Sequence, residues 1–304
     1  MITQKLYNAP ARTLRLLSLF FFKPDPKDYY YFPFFRLSVA VICLIHFLSV
    51  IQDFRLIYLG GLIPMEIAEL FRMRFMPVIS DFMFFFTEKI GLSENAAVNL
   101  FIFFYITSCI TLALGFLTRV SAFILLLLHV MLSQSSQLFI YGVDAFKSIG
   151  LFYCFVFPVG RFYSIDSKLF NVNNVNPTPY RRLLQIHMSI VYFFSGFDKI
   201  IGPNWRNGES IWKSVHLPFF GTDIAIDYTF MTHFPIIPVL IGWGTVIVEL
   251  FYPLFIWQKS TKTLWLYLVI LMHITIMISL NLYFFASLMI FLNLAAFLNL
   301  EKKT

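Results

Sequence analysis

From Phe34 to Leu300 the chain is a succession of apolar runs broken by short polar or Pro- and Gly-bearing segments. A helix needs about 20 apolar residues to cross the ~30 Å hydrocarbon core of a bilayer. Inside lipid every backbone polar group must find its partner within the spanning structure, which leaves helices as the economical solution for runs of this kind. The pattern therefore predicts an all-α, polytopic membrane bundle. Composition agrees: 59% of residues are hydrophobic and only 13% charged, whereas soluble domains carry about a quarter charged residues. The formal net charge of +7 then reflects Lys and Arg that set orientation and meet anionic headgroups. No basic run with interleaved aromatics speaks for nucleic acid, so the expected partner is the lipid bilayer.

The runs divide into eight expected spans, at residues 34–51, 96–116, 120–137, 145–159, 183–201 and 236–257, with the long stretch 264–300 splitting near Asn281. Residues 1–33 read as a cytoplasmic amphipathic segment, in which Arg12 and Arg15 precede an apolar run too short to span. Residues 34–300 form one transmembrane domain and 301–304 a cytoplasmic tail. Between the first two spans lie Glu66, Glu69, Arg72, Arg74 and Asp81 among prolines and aromatics, which predicts short interfacial helices. Lys and Arg in alternate segments divide about two to one. The richer side includes Arg119, Arg161, Arg181, Arg182, Lys259, Lys262, Lys302 and Lys303, and both termini fall on it, in the cytoplasm. The poorer side holds Arg55, Arg72, Arg74, Lys89, Lys147, Arg206 and Lys213. Cys43, Cys109 and Cys154 sit in separate apolar runs without short spacing, which predicts buried thiols and neither disulfides nor a zinc site.

The stretch richest in chemistry begins at the end of the fifth span. Lys199 and Asp198 occupy its last turn, Gly202-Pro203 breaks it, and Trp205, Arg206, Glu209 and Trp212 follow. Met188, Tyr192, Ser195 and Lys199 share one helical stripe, so their side chains face a common direction. Lys199 either snorkels to the headgroups or, partly buried, serves as a general base. Glu249 is placed well inside the sixth span, where an ionisable group is normally paired, protonated or functional. His273 and His129 fall at similar depth. A Glu–His contact and a catalytic or proton-moving role both fit; a Lys199–Glu249 bridge requires the sixth span to be shifted. Trp205 and Trp212 suit an aromatic belt. Arg206 and Glu209 form either a clasp or a hold on a substrate's polar end. His46, His216 and His233 lack ligand spacing, and the loop before the sixth span also holds Asp223 and Asp227. Phosphate loops, serine elbows and HExxH zinc motifs are absent.

Gly196-Phe197-Asp198-Lys199 followed by Asn204-Trp205-Arg206-Asn207-Gly208 resembles the signature of the horizontally transferred transmembrane family, bacterial relatives of the membrane part of vitamin K-dependent gamma-carboxylase. Gly115-Phe116-Leu117-Thr118-Arg119, Tyr141-Gly142-Val143-Asp144, Val248-Glu249-Leu250 and His273 are similar to further family segments, in the expected order. The resemblance implies a bacterial cytoplasmic-membrane protein with Lys199 as a base acting on a lipid-soluble, quinone-like cofactor such as reduced vitamin K. Glu249 and His273 are then the other catalytic candidates, with Tyr192, Ser195 and Trp205 beside the cofactor. Arg206, Glu209, Tyr141 and Asp144 are expected on the substrate side. Two departures, Gln137 where the carboxylase has a helper histidine and no large domain after the spans, argue against glutamate carboxylation as such. The chain is also similar to sporulation-delaying-protein B-like factors, which mature a secreted peptide with membrane or secreted partners. Three functions stay open: a membrane enzyme modifying an exported peptide or small molecule, a non-enzymatic accessory in peptide maturation or export, and a transporter.

Overall fold

The computed structural model describes residues 9–64, 67, 70–137, 139–170, 175–217 and 226–298. Glu66, Glu69, Asp223, Lys302, Lys303 and the 301–304 tail lie outside the described residues, as do residues 1–8 of the N-terminal segment. Every regular element among the described residues is helical. The chain packs as two compact units, residues 32–175 and residues 1–31 with 176–304.

The first-named unit is built from α2 (Tyr31–Val50), α3 (Phe54–Tyr58), α4 (Ile79–Phe84), α5 (Glu94–Leu114), α6 (Thr118–Ser135), α7 (Gly142–Val156) and α8 (Ile165–Leu169). Its core is aromatic, with Phe32, Phe35, Phe47, Phe54, Phe101 and Tyr105 almost wholly buried. Phe47 and Tyr105 stack with centroids 4.0 Å apart. The Gly115-to-Arg119 segment is the α5–α6 turn, and Asp166 at the start of α8 clasps it. That carboxylate accepts from the amides of Leu117 and Thr118, both at 2.8 Å, and from the Thr118 hydroxyl at 2.5 Å. Arg36, 3% exposed, donates to the carbonyls of Val159 and Tyr163 at 2.9 and 2.7 Å. Both groups hold backbone that has no helical partner, which is how a buried charge is made tolerable.

The second unit contains α1 (Ala9–Phe22), α9 (Thr178–Ile201), α10 (Pro203–Arg206), α11 (Glu209–His216), α12 (Phe230–His233), α13 (Ile236–Leu250), α14 (Tyr252–Phe255), α15 (Lys262–Leu280) and α16 (Tyr283–Phe297). On α1, Leu14, Leu16, Leu17, Leu19 and Phe22 are exposed. Its Phe20 ring meets Trp257 and lies under the Arg182 guanidinium at 4.9 Å. Arg181, 4% exposed, binds Asp28 at 2.5 Å and the carbonyls of Ala295, Ala296 and Leu298 at the end of α16. A cation is favoured there, where the last carbonyls of a helix lack amide partners.

Helices stand where each of the eight expected spans was placed, and the long terminal run divides at Asn281, whose φ of 52° ends α15. Among the described residues, four segments are long and apolar enough to cross a membrane: Asp28–Val50, Glu94–Leu114, Thr118–Ser135 and Lys262–Leu280. The helices α7, α13 and α16 have 15 residues each, about 22 Å at 1.5 Å per residue. The sixth expected span is not one helix. It breaks at Phe251, and Pro253 lies in the first turn of α14, where a missing amide costs no hydrogen bond. Cys43, Cys109 and Cys154 are buried free thiols.

Candidate functional site

The interruption at Phe251 puts Glu249 at the second-last position of α13 instead of deep inside a longer span. Backbone approach then decides what it meets. A Cβ on Gly196 would lie 2.5 Å from the Leu250 amide nitrogen, so only glycine lets α9 and α13 come this close. Further along, Gly208 (φ 82°) lies against the backbone of Pro238 and Val239. The two glycines of the Gly-x-x-Lys and Asn-Trp-x-x-Gly segments thus register α13 so that its end is level with Lys199.

Lys199 Nζ donates to Glu249 Oε2 and to Ser195 Oγ, each at 2.6 Å. Lys199 thus bridges the Glu249 carboxylate and the Ser195 hydroxyl. The lysine side chain is 19% exposed and the glutamate 8%, so the pair is shielded and the amine is not splayed into solvent. The ammonium lies 5.1 Å from the Trp205 ring centroid, within cation–π range. The shift that a Lys199–Glu249 bridge requires is therefore present, and the expected Glu–His contact is replaced by it.

His273 is engaged elsewhere. Tyr252 donates to Asn293 Oδ1 at 2.7 Å, and Asn293 Nδ2 donates to the Tyr192 oxygen and the Met289 carbonyl, both at 2.8 Å. The Tyr192 hydroxyl pairs with His273 Nε2 at 2.7 Å. Its ring is 2% exposed and packs 4.3 Å from Tyr252. Tyr192 is thus committed to a buried network and does not present its hydroxyl beside Lys199, although it shares the stripe. His273 Nδ1 is buried without a hydrogen-bond partner among the described residues.

Arg206 and Glu209 do not clasp each other. Glu209 pairs with Lys213 at 2.5 Å, one turn along α11, and that hydrogen bond holds its carboxyl below the usual range. Both partners are exposed, and Arg206 is exposed on α10. Trp212 stacks on His216 with centroids 3.9 Å apart.

Tyr141 and Asp144 belong to the other unit, at the start of α7. Asp144 accepts from the Tyr141 amide at 3.2 Å and pairs with Lys147 Nζ at 2.9 Å. Lys147, counted from its charge among the flanking cations, is 2% exposed and donates to His46 Nδ1 at 2.5 Å. His129 Nε2 reaches the Asp144 carbonyl at 3.1 Å. A cavity of ≈ 180 Å³ opens beside these groups. His46 and His129 are therefore partners of a buried charge pair. The signal was present in the sequence: Asp144 and Lys147 stand three apart on a helix otherwise apolar after its first turn.

No protein-family model, curated protein or solved structure matches the chain. Fold and site define a class. The protein is all-helical among its described residues, carries four helices long and apolar enough to cross a membrane, and holds paired charges within its helices. Three or more His, Cys, Asp or Glu side chains grouped to hold a metal ion do not occur among the described residues.

Proposed function

We propose that the chain is an eight-span membrane protein with cytoplasmic termini, and that it modifies an exported peptide or small molecule with Lys199 as general base. One observation carries this reading: the shielded Lys199–Glu249 hydrogen bond of 2.6 Å, with Ser195 accepting a second bond from the same amine. Passing one proton along that bond converts ammonium and carboxylate into neutral amine and carboxylic acid. The charge separation is least favoured where water is excluded. The amine then has a free electron pair for a substrate proton, and Glu249 keeps the first one until the pair is reset.

The resemblance also implies a reduced quinone. The residues fit such a group at Lys199 and Trp205, where a partly buried indole lies beside the amine as a flat stacking surface. Tyr192 does not fit, since its hydroxyl and ring are already occupied. When bound, a reduced quinone supplies the oxidisable ring; Lys199 supplies the site for its proton, and Trp205 supplies the wall that orients it.

Untargeted mass spectrometry of peptides and lipids co-purifying with wild-type protein and Lys199→Ala tests the reading. A modified species present with wild type and lost in folded Lys199→Ala supports it; the same species at equal yield from both rejects it. An accessory role predicts instead that Lys199→Arg behaves as wild type and that a partner co-purifies unmodified. A transporter reading draws on the helix ends at Ile201 and Leu250, both beside the pair, with short helices continuing from each. It predicts proton-coupled uptake by reconstituted protein, lost in Glu249→Gln.

A further inference from the structure

The function proposed above makes no use of the charge cluster in the unit formed by residues 32–175, and the geometry of that cluster is that of a nucleophile with its base. Lys147 Nζ has only protons to offer, so His46 Nδ1, 2.5 Å away, must accept and is therefore unprotonated. The Asp144 carbonyl can only accept, so His129 Nε2 carries a proton and pins the first turn of α7 that bears Asp144. The Asp144 carboxylate at 2.9 Å supplies the counter-charge. A desolvated amine within hydrogen-bond reach of an accepting imidazole has a base beside it for the proton it must lose before it attacks.

The adjoining cavity, lined by Lys147, His46, His129, Asp144, Phe47 and Tyr105 among others, holds ≈ 180 Å³. That is room for about six waters or one small molecule of that bulk. The Lys147 and Asp144 charges cancel within the ion pair, so the cluster favours an uncharged guest. The stacked rings of Phe47 and Tyr105 give it an apolar wall.

We propose that Lys147 forms a Schiff base with a small uncharged aldehyde or ketone bound in this cavity. His46 Nδ1 takes one proton from the ammonium, and the free amine nitrogen bonds to the carbonyl carbon. A second proton passes from that nitrogen to the former carbonyl oxygen, giving a neutral carbinolamine. His46 then returns its proton to the hydroxyl, which leaves as water while the nitrogen electron pair forms the C=N bond. The balance is one ammonium and one carbonyl giving one iminium and one water, with no change of oxidation state. The iminium keeps the positive charge, so Asp144 retains its partner throughout.

The test uses full-length protein in detergent, propanal as the probe, and cyanoborohydride to trap any iminium as a stable secondary amine. Peptide mass spectrometry follows propylation of each lysine with time. Lys147 is expected to label at least about tenfold faster than exposed Lys213, and His46→Gln to slow Lys147 by a similar factor while leaving Lys213 unchanged. A purely structural ion pair predicts the reverse, with Lys147 among the slowest lysines. Labelling of Lys147 at or below the Lys213 rate, or unaffected by His46→Gln, overturns the proposal. The wild-type comparison needs no substitution, so a His46→Gln protein that does not fold leaves the decision intact.

Discussion

Glu249 Oε2 lies 2.6 Å from Lys199 Nζ although the two residues are 50 positions apart, on helices that meet at Gly196. A shielded pair of this kind is worth little against an apolar replacement but costs much when only one partner is removed. Lys199→Met and Glu249→Gln are each expected to cost about 3 kcal/mol, because each strands the other group. Lys199→Met/Glu249→Leu is expected to cost less than the sum, with a coupling of about 1–3 kcal/mol. Denaturant titration of the four proteins in one detergent reads this directly; additive losses would show that the two side chains do not sense each other.

The register of that pair depends on backbone contact. Gly196→Ala places a methyl 2.5 Å from the Leu250 nitrogen, and forcing the helices apart is expected to cost about 1–3 kcal/mol. Gly244, also on α13, is the matched control, since a Cβ there meets nothing within 4 Å. Gly244→Ala is expected to stabilise by up to about 1 kcal/mol through helix propensity. If both substitutions shift the unfolding midpoint alike, close approach at Gly196 is not what holds α9 against α13.

The helices themselves are legible in the sequence because apolar runs of this length leave no other economical structure, and Asn281 lies near the middle of residues 264–300, a run too long for one crossing. The break at Phe251 was not read, although Pro253 signalled it: a continuous apolar run hides a boundary that only backbone hydrogen bonding reveals. A continuous span sets Glu249 too deep, and the bridge to Lys199 requires a shift for the same reason. Lys147 escaped notice because a charge tally assigns cations to the flanks. Its partner His46 is 101 residues away on another helix, and His129, which meets the Asp144 carbonyl, is on a third; only tertiary packing brings them together.

Arg181 joins Asp28 to three carbonyls at the end of α16. Its planar fork serves several acceptors at once, which the point charge of lysine does not reproduce. Arg181→Met is expected to cost about 3–5 kcal/mol by leaving Asp28 buried and unpaired, and Arg181→Lys to recover only a minor part of the loss. Asp28→Asn/Arg181→Met removes the stranded charge and is expected to lie above Arg181→Met. Thermal unfolding in detergent orders the variants; full rescue by lysine would contradict the role given to the fork.

Asn293, wholly buried, is the hub through which Tyr252 and Tyr192 are satisfied. Asn293→Leu removes the acceptor of the Tyr252 hydroxyl and a donor to Tyr192. Each buried polar group left unmatched costs about 1–3 kcal/mol, so the single variant is expected to be strongly destabilised. Removing the Tyr252 hydroxyl together with the hub is cheaper than removing the hub alone, because the Tyr192 hydroxyl keeps His273 Nε2 and no orphaned Tyr252 hydroxyl remains. The double variant Tyr252→Phe/Asn293→Leu is therefore expected to unfold at higher denaturant than Asn293→Leu, despite carrying one more substitution. A double variant less stable than the single one would mean that the Tyr252 hydroxyl finds another partner once Asn293 is gone, and Asn293 would lose its place as the hub.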